Sequence, residues 1–121
     1  MRRLIVFLSA ALTALALSGC ALSDVENADV LVCNDSPQVI YAVTLTTELQ
    51  SESVSAPQGV GLLERGDRCG FQMADGSRAF TLELMGEHGD LLARCRGTYE
   101  GKRLLLTFRE DGGVLVREDK R

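Results

Sequence analysis

From residue 28 onward, apolar and polar side chains alternate with a period of two. Successive side chains of an extended chain point to opposite faces, so this period predicts strands that are buried on one side. The longest run is 39–49. Val39, Tyr41, Val43, Leu45, Thr47 and Leu49 fall on one face; Ile40, Ala42, Thr44, Thr46 and Glu48 fall on the other. Shorter runs repeat the pattern: Cys69, Phe71, Met73; Phe80, Leu82, Leu84; Leu91, Ala93, Cys95; Leu104, Leu106, Phe108. Ala28–Cys33, Val60–Leu63 and Val114–Val116 are brief apolar strands. Turn chemistry separates these runs, at Asn34–Pro37, Arg65-Gly66-Asp67, Asp75-Gly76, Gly86–Asp90 and Asp111-Gly112-Gly113. Residues 50–58 are polar and unpatterned, and predict an exposed loop. No window after residue 28 carries a helical stripe. The expectation is an all-β fold, a small antiparallel β-sandwich or barrel of about seven to eight strands.

The turns also set expected registers. A tight turn at Gly86–Asp90 places Leu84 opposite Leu91 and Phe80 opposite Cys95. A hairpin at Asp75-Gly76 places Phe71 near Thr81 or Leu82, and Cys69 near Glu83 or Leu84.

The first twenty residues break the pattern. Met1-Arg2-Arg3 is a short positive start, and Leu4–Leu17 is apolar apart from Ser9 and Thr13. At about 14 residues the run is too short to span a bilayer core of about 30 Å. It has the three-part layout of a secretory leader. Leu17-Ser18-Gly19-Cys20, directly after the run, resembles the lipobox of bacterial lipoprotein precursors. The resemblance implies cleavage before Cys20, diacylglycerol on its thiol and an acyl chain such as palmitate on its new amino group. Several acyl chains anchor a protein stably, at about 0.8 kcal/mol per buried methylene. Ala21 follows, not the Asp that in enterobacterial lipoproteins favours inner-membrane retention. The implied address is the periplasmic face of the outer membrane.

The expected organisation is a signal peptide over 1–19, a lipidated N-terminus and tether over 20–28, a β-sandwich domain over 29–117 and a solvated tail over 118–121. Fully extended, the tether reaches about 28 Å. Losing residues 1–19 removes two Arg and no acid, so 11 basic residues face 17 acidic ones and the mature charge is −6. An acidic chain without a basic run lacks the footprint of a nucleic-acid binder. The absence of Trp and an aromatic content of 5% argue against a stacking platform for bases or sugars. At 121 residues the chain holds one domain.

With Cys20 carrying lipid, Cys33, Cys69 and Cys95 remain. An oxidising compartment predicts one disulfide and one leftover thiol. The expected registers put Cys69 and Cys95 toward opposite ends of the middle strand, beyond the ~7 Å that a disulfide allows. Cys33–Cys69 is therefore the favoured pair, with Cys95 as the other possible partner or as a thiol facing the core.

Candidate chemistry is sparse. His88 is the only His, in Gly86-Glu87-His88-Gly89-Asp90, which reads as a polar loop before it reads as an acid–base or metal cluster. There is no nucleophile elbow, phosphate-binding Gly loop or zinc-helix motif. The acids Asp35, Asp67, Asp75, Asp90 and Asp111 all stand at turns. No catalytic residue, metal site or cofactor is expected.

Two further resemblances complete the reading. Asn34-x-Ser36, Leu63-x-x-Gly66 and a strand ending near Cys95 are similar to motifs in small secreted β-domains of unassigned function. Gly97-x-Tyr99 with the nearby Lys102 resembles the Gly-x-x-Tyr loop of membrane-bound lysozyme inhibitors, whose loop enters the enzyme's cleft. Here no Ser precedes Gly97, and the Cys spacing differs. The simpler reading makes Tyr99 a cap on the core edge. The expected function is a non-catalytic outer-membrane lipoprotein that binds an envelope protein partner. The alternative is an inhibitor of a cell-wall lytic enzyme acting through Tyr99 and Lys102.

Overall fold

The computed structural model describes residues 27–119. The leader, the lipobox with Cys20, most of the expected tether and residues 120–121 lie outside them. Eight strands are present among the described residues: β1 (Val30–Asp35), β2 (Ala42–Thr47), β3 (Ser51–Ser55), β4 (Arg68–Phe71), β5 (Ala79–Met85), β6 (Leu91–Thr98), β7 (Leu104–Arg109) and β8 (Val114–Glu118). They form two four-stranded sheets. Sheet I has the order β4-β1-β7-β8, and sheet II the order β3-β2-β5-β6. The sheets do not close on each other, so the fold is a β-sandwich.

Sheet II is antiparallel throughout, but sheet I is mixed. β1 and β7 run parallel down its centre, Val30 beside Leu104 through Asp35 beside Arg109. Alternation identifies strands but not the direction of their partners, so this pair was not foreseen.

The core lies between the sheets. Sheet I contributes Val30, Val32, Cys69, Phe71, Leu104, Leu106 and Phe108; sheet II contributes Val43, Leu45, Phe80, Leu82 and Leu84. Burying each Val, Leu or Phe contributes about 1.5–3 kcal/mol. Ile40, Leu62 and Leu63 close the core where the chain changes sheets. Ile40 bridges to Leu63. It is buried out of phase with Val43, so the long alternating run is in two pieces with a break at Tyr41.

Three expectations are corrected here. The polar stretch 50–58 contains β3, an edge strand paired with β2, with Val43 opposite Val54 and Thr44 opposite Ser53. Asp75-Gly76 does not close a hairpin: β4 pairs with β1 in sheet I, and 72–78 carries the chain across to sheet II. Around Gly86–Asp90, Leu84 faces Ala93 and Phe80 faces Gly97, because the ladder slips at Leu84/Met85.

The domain is also tied down further than its expected bounds. Gln72 Nε2 donates to Asn27 O at 2.6 Å, and Ala28 is fully buried, so the tether ends earlier than 28. β8 runs to Glu118, and Asp119 N donates to Arg103 O at 2.8 Å. The strand directions gather the connections at two ends. The entry at 27–29, the turn 47–50, the crossing 72–78 and the loop 99–103 share one end. Segments 36–41, 56–67, 86–90 and 110–113 share the other.

Candidate functional site

The entry end is built around Asp29. Its backbone N–H donates to Phe71 O, and its carbonyl accepts from Leu104 N, both at 2.9 Å. Its carboxylate then bridges two loops. Oδ2 accepts from Met73 N at 2.8 Å, and Oδ1 accepts from the Tyr99 hydroxyl at 3.1 Å. Tyr99 N donates to Arg78 O at 2.7 Å, and its ring packs against the core. Tyr99 is thus held as a cap on the core edge. A carboxylate at 29 that orders two loops 44 and 70 residues away leaves no local sequence signal, and sequence reasoning missed it.

Tyr99 forms a ridge between two shallow depressions. One, of about 420 Å³, is lined by Asp29, Tyr99, Gly101, Lys102, Arg103, Glu118 and Asp119. The other lies toward Met73, Ser77 and Arg78. Lys102 is exposed on the rim. Arg103 Nε lies 3.1 Å from Asp119 Oδ2, an ion pair that closes the first depression's floor. Gly97 is not part of the loop. It lies inside β6 opposite Phe80, and a Cβ there would come within 2.5 Å of the Phe80 ring. The ring fills the space that a side chain at 97 would take. The loop proper is 99–103, and Gly101 turns it with φ +85°.

The cysteines correct the expected disulfide. Cys33, Cys69 and Cys95 are all free. Across the β1–β4 ladder Cys69 stands opposite Val32, and Cys33 opposite Arg68. Neighbouring positions on a strand face opposite sides. Cys69 therefore points into the core while Cys33 points out of the sandwich, and no bond can join them. Cys95 is opposite Leu82 in sheet II and packs half-buried on the core's edge. Burial pushes the Cys69 thiol up to about 12. It raises Cys33 and Cys95 as well, and at Cys33 the neighbouring Arg68 offsets part of the rise. These are protonated thiols at neutral pH, poor nucleophiles and poor metal ligands.

The far end carries the other charged loops. His88 is exposed, with Nε2 3.8 Å from Glu87 Oε1, and its N–H donates to Asp90 Oδ1 at 3.3 Å. Arg65 ion-pairs with Glu110 and lies 3.8 Å from Asp35. No group of three or more His, Cys, Asp or Glu able to hold a metal occurs among the described residues.

The motif residues Asn34, Ser36, Leu63 and Gly66 converge in one buried knot at this end. Asn34 Nδ2 donates to Gln38 O at 2.7 Å and to Leu63 O at 2.9 Å. Its Oδ1 accepts from Ser36 N at 3.0 Å and from Ser36 Oγ at 2.8 Å. Its main chain accepts from Gly66 N and donates to Asp67 O. The side-chain amide uses its two donors and two lone pairs in full. That makes it a structural joint with nothing left for a ligand.

No family model, curated protein or solved structure matches this chain. The described surface offers open, mixed-charge depressions at the entry end and strand edges at β3 and β8.

Proposed function

We propose that this chain is a non-catalytic lipoprotein of the outer membrane, anchored through Cys20 and binding an envelope protein partner. The observation that carries the reading is Leu17-Ser18-Gly19-Cys20 placed directly after a short apolar run. The fold is compatible with it. The described domain begins seven residues after Cys20, with Asn27 held by Gln72. Among the described residues, burial keeps the Cys69 thiol protonated and so a poor nucleophile, and His88 stands exposed in a loop. For the partner, the most adhesive edge is β8, where Leu115 is 40% and Val116 38% exposed. Among the described residues no strand pairs with the outer edge of β8, and a strand added there would cover both side chains. The polar edge β3 is a poorer site. Glu52 stands opposite Leu45, on the core-facing side of the rim, and a charge there discourages strand addition.

Metabolic labelling with an alkynyl palmitate tests the anchor. The wild-type chain should take up label and fractionate with outer membranes. Cys20→Ser should lose the label and keep the leader. A processed wild-type chain without label ends the proposal. Cross-linking in intact cells should then recover one stoichiometric envelope protein, and lose it in Val116→Asp. The inhibitor alternative is separable by a lysozyme assay. It requires inhibition that Tyr99→Ala and Lys102→Ala abolish, yet the Tyr99 hydroxyl is already engaged by Asp29.

A further inference from the structure

The edge strands of the two sheets are not alike. β3 carries Glu52 on its rim, β4 is short and begins with Arg68, and β6 holds Arg94 and Arg96 opposite Glu83 and Thr81. β8 is the apolar edge, Val114-Leu115-Val116, closed by Arg117-Glu118.

The hydrogen-bond phase of β8 is fixed by its ends. Gly113 O accepts from Arg109 N, and Asp119 N donates to Arg103 O, so Leu115 and Arg117 direct their main-chain groups at β7 as well. Val114, Val116 and Glu118 therefore turn their N–H and C=O groups outward, along the edge. Among the described residues no strand pairs with that edge. Side chains follow the same alternation. Val114, Val116 and Glu118 stand opposite Phe108, Leu106 and Leu104 on the core-facing side, while Leu115 and Arg117 point out of the sandwich.

A second copy of the same strand can fill such an edge, because antiparallel pairing about a two-fold axis is self-complementary. Charge and strand length select where the axis lies. At Arg117 it would set Arg117 on its own copy, and at Glu118 it would set Glu118 on its own copy, like charges directly opposite each other. At Val114 or Leu115 it would run each strand into the Gly112-Gly113 turn of the other. At Val116 the whole strand is used: Val116 meets its copy, Val114 meets Glu118, and Leu115 meets Arg117. No like charges are opposed. Leu115 then lies under the methylenes of the second copy's Arg117, whose guanidinium stays in water.

We propose that β8 pairs with β8 of a second copy of this chain, antiparallel about a two-fold axis at Val116, joining two copies of sheet I into one continuous sheet. This names the partner for the edge identified above and rests on that reading of β8. It does not depend on lipid at Cys20. The contact is isologous, so one patch closes it and no further copy adds at β8. An apolar edge that would otherwise invite aggregation is removed. Where the anchor is present, confinement to one membrane raises the local concentration of copies and favours a small interface.

In this pairing the Cα atoms of the two Val116 residues stand about 5.5 Å apart, within disulfide range. The two Leu115 residues, each opposite Arg117, are about 8 Å apart and outside it. Val116→Cys and Leu115→Cys are made singly in the full-length chain with Cys33→Ser and Cys95→Ser, which leaves Cys69 in the core. Leu115 and Val116 are both exposed, so neither change disturbs the packing between the sheets. Each variant is expressed as two differently tagged copies in one cell and oxidised in intact cells with copper–phenanthroline. Val116→Cys should give a species of twice the chain's mass carrying both tags, at least about tenfold more of it than Leu115→Cys, because a bridge fails beyond about 7 Å. Mass spectrometry of that species should find position 116 linked to position 116. Without oxidant, tagged wild-type copies should co-purify, and Val116→Asp, which sets two carboxylates on each other, should separate them. No linked species from Val116→Cys, or more from Leu115→Cys, overturns the proposal. So does recovery of a different envelope protein that Val116→Asp loses, an outcome that keeps β8 as the binding edge and gives it to another partner. The palmitate label on Cys20 in the same cells reports the anchor separately, so the two readings fail independently.

Discussion

The two sheets share one core and differ in their outer faces. Sheet II shows solvent a field of hydroxyls and charge: Thr44, Thr46, Ser51, Ser53 and Thr81, with Glu83 paired to Arg94. Thr44 and Ser53 hydroxyls bond across the ladder at 2.7 Å. Sheet I presents Leu31, Leu105, Cys33 and Leu115 instead. The difference teaches where covering is required. An antiparallel sheet can stand with one face in water, whereas a parallel pair such as β1 and β7 belongs with strands covered on both sides.

The sharpest way to break the comparison is at the joint that holds the end of sheet I. Asn34→Ala leaves Gln38 O, Leu63 O and the Ser36 groups without partners, at about 1–3 kcal/mol for each buried group orphaned. A loss of at least about 3 kcal/mol in urea unfolding is expected. A loss under about 1 kcal/mol would mean that water replaces the amide, and that the knot does not specify sheet I.

Next comes a matched pair on the two outer faces. Leu31→Ala should cost about 2–4 kcal/mol, as a core truncation does. Thr44→Ala on sheet II should change stability by no more than about 0.5 kcal/mol. Similar values for the two would erase the distinction between the faces.

Within sheet II the edge should be sensitive at one position. Gly97→Ala forces a methyl group toward the Phe80 ring and should cost about 1–3 kcal/mol. Phe80→Leu in the Gly97→Ala background should recover part of it, a coupling that a double-mutant cycle reads.

The smallest expected effect is a pH dependence to which Cys69 of sheet I contributes most. The Cys69 thiol is held up to about 12 in the folded chain, against an ordinary 9.0. Between those values the unfolded chain releases the proton and the folded chain keeps it. Stability from this group is therefore complete below pH 9 and declines as pH rises toward 12. Unfolding measured from pH 8 to 10.5 should fall less steeply in Cys69→Ala. Parallel slopes would show that Cys69 ionises as readily in the folded chain as in the unfolded one.

The same contrast explains what could be read from the chain. Sheet II's strands β2, β5 and β6 announced themselves by clean alternation, because one face is wet. β3 did not, since an edge strand protected by Ser and Glu looks like a loop. In sheet I the strands were visible as apolar runs, but their partners were not. Asp75-Gly76 has hairpin chemistry, yet it lies in a crossing between sheets, and that error carried the Cys33–Cys69 pairing with it. A disulfide depends on which face each Cys takes, and one residue of register decides that. For the site, Tyr99 as a core-edge cap was readable from its place after an alternating run. Asp29 was not, because its partners Met73 and Tyr99 are set by tertiary contacts alone.

The parallel pair also sets a timetable. β1 is the first of the described strands to be made, but Val30 meets Phe71 only after 41 further residues and Leu104 only after 74. Contacts so distant in sequence form slowly. A chain that emerges from its N-terminus carries Val30–Asp35 without its β4 partner until residue 71, and with one edge open until β7 is delivered. The interval before β7 arrives is when this chain is most open to aggregation and proteolysis, because β1 then still has an open edge.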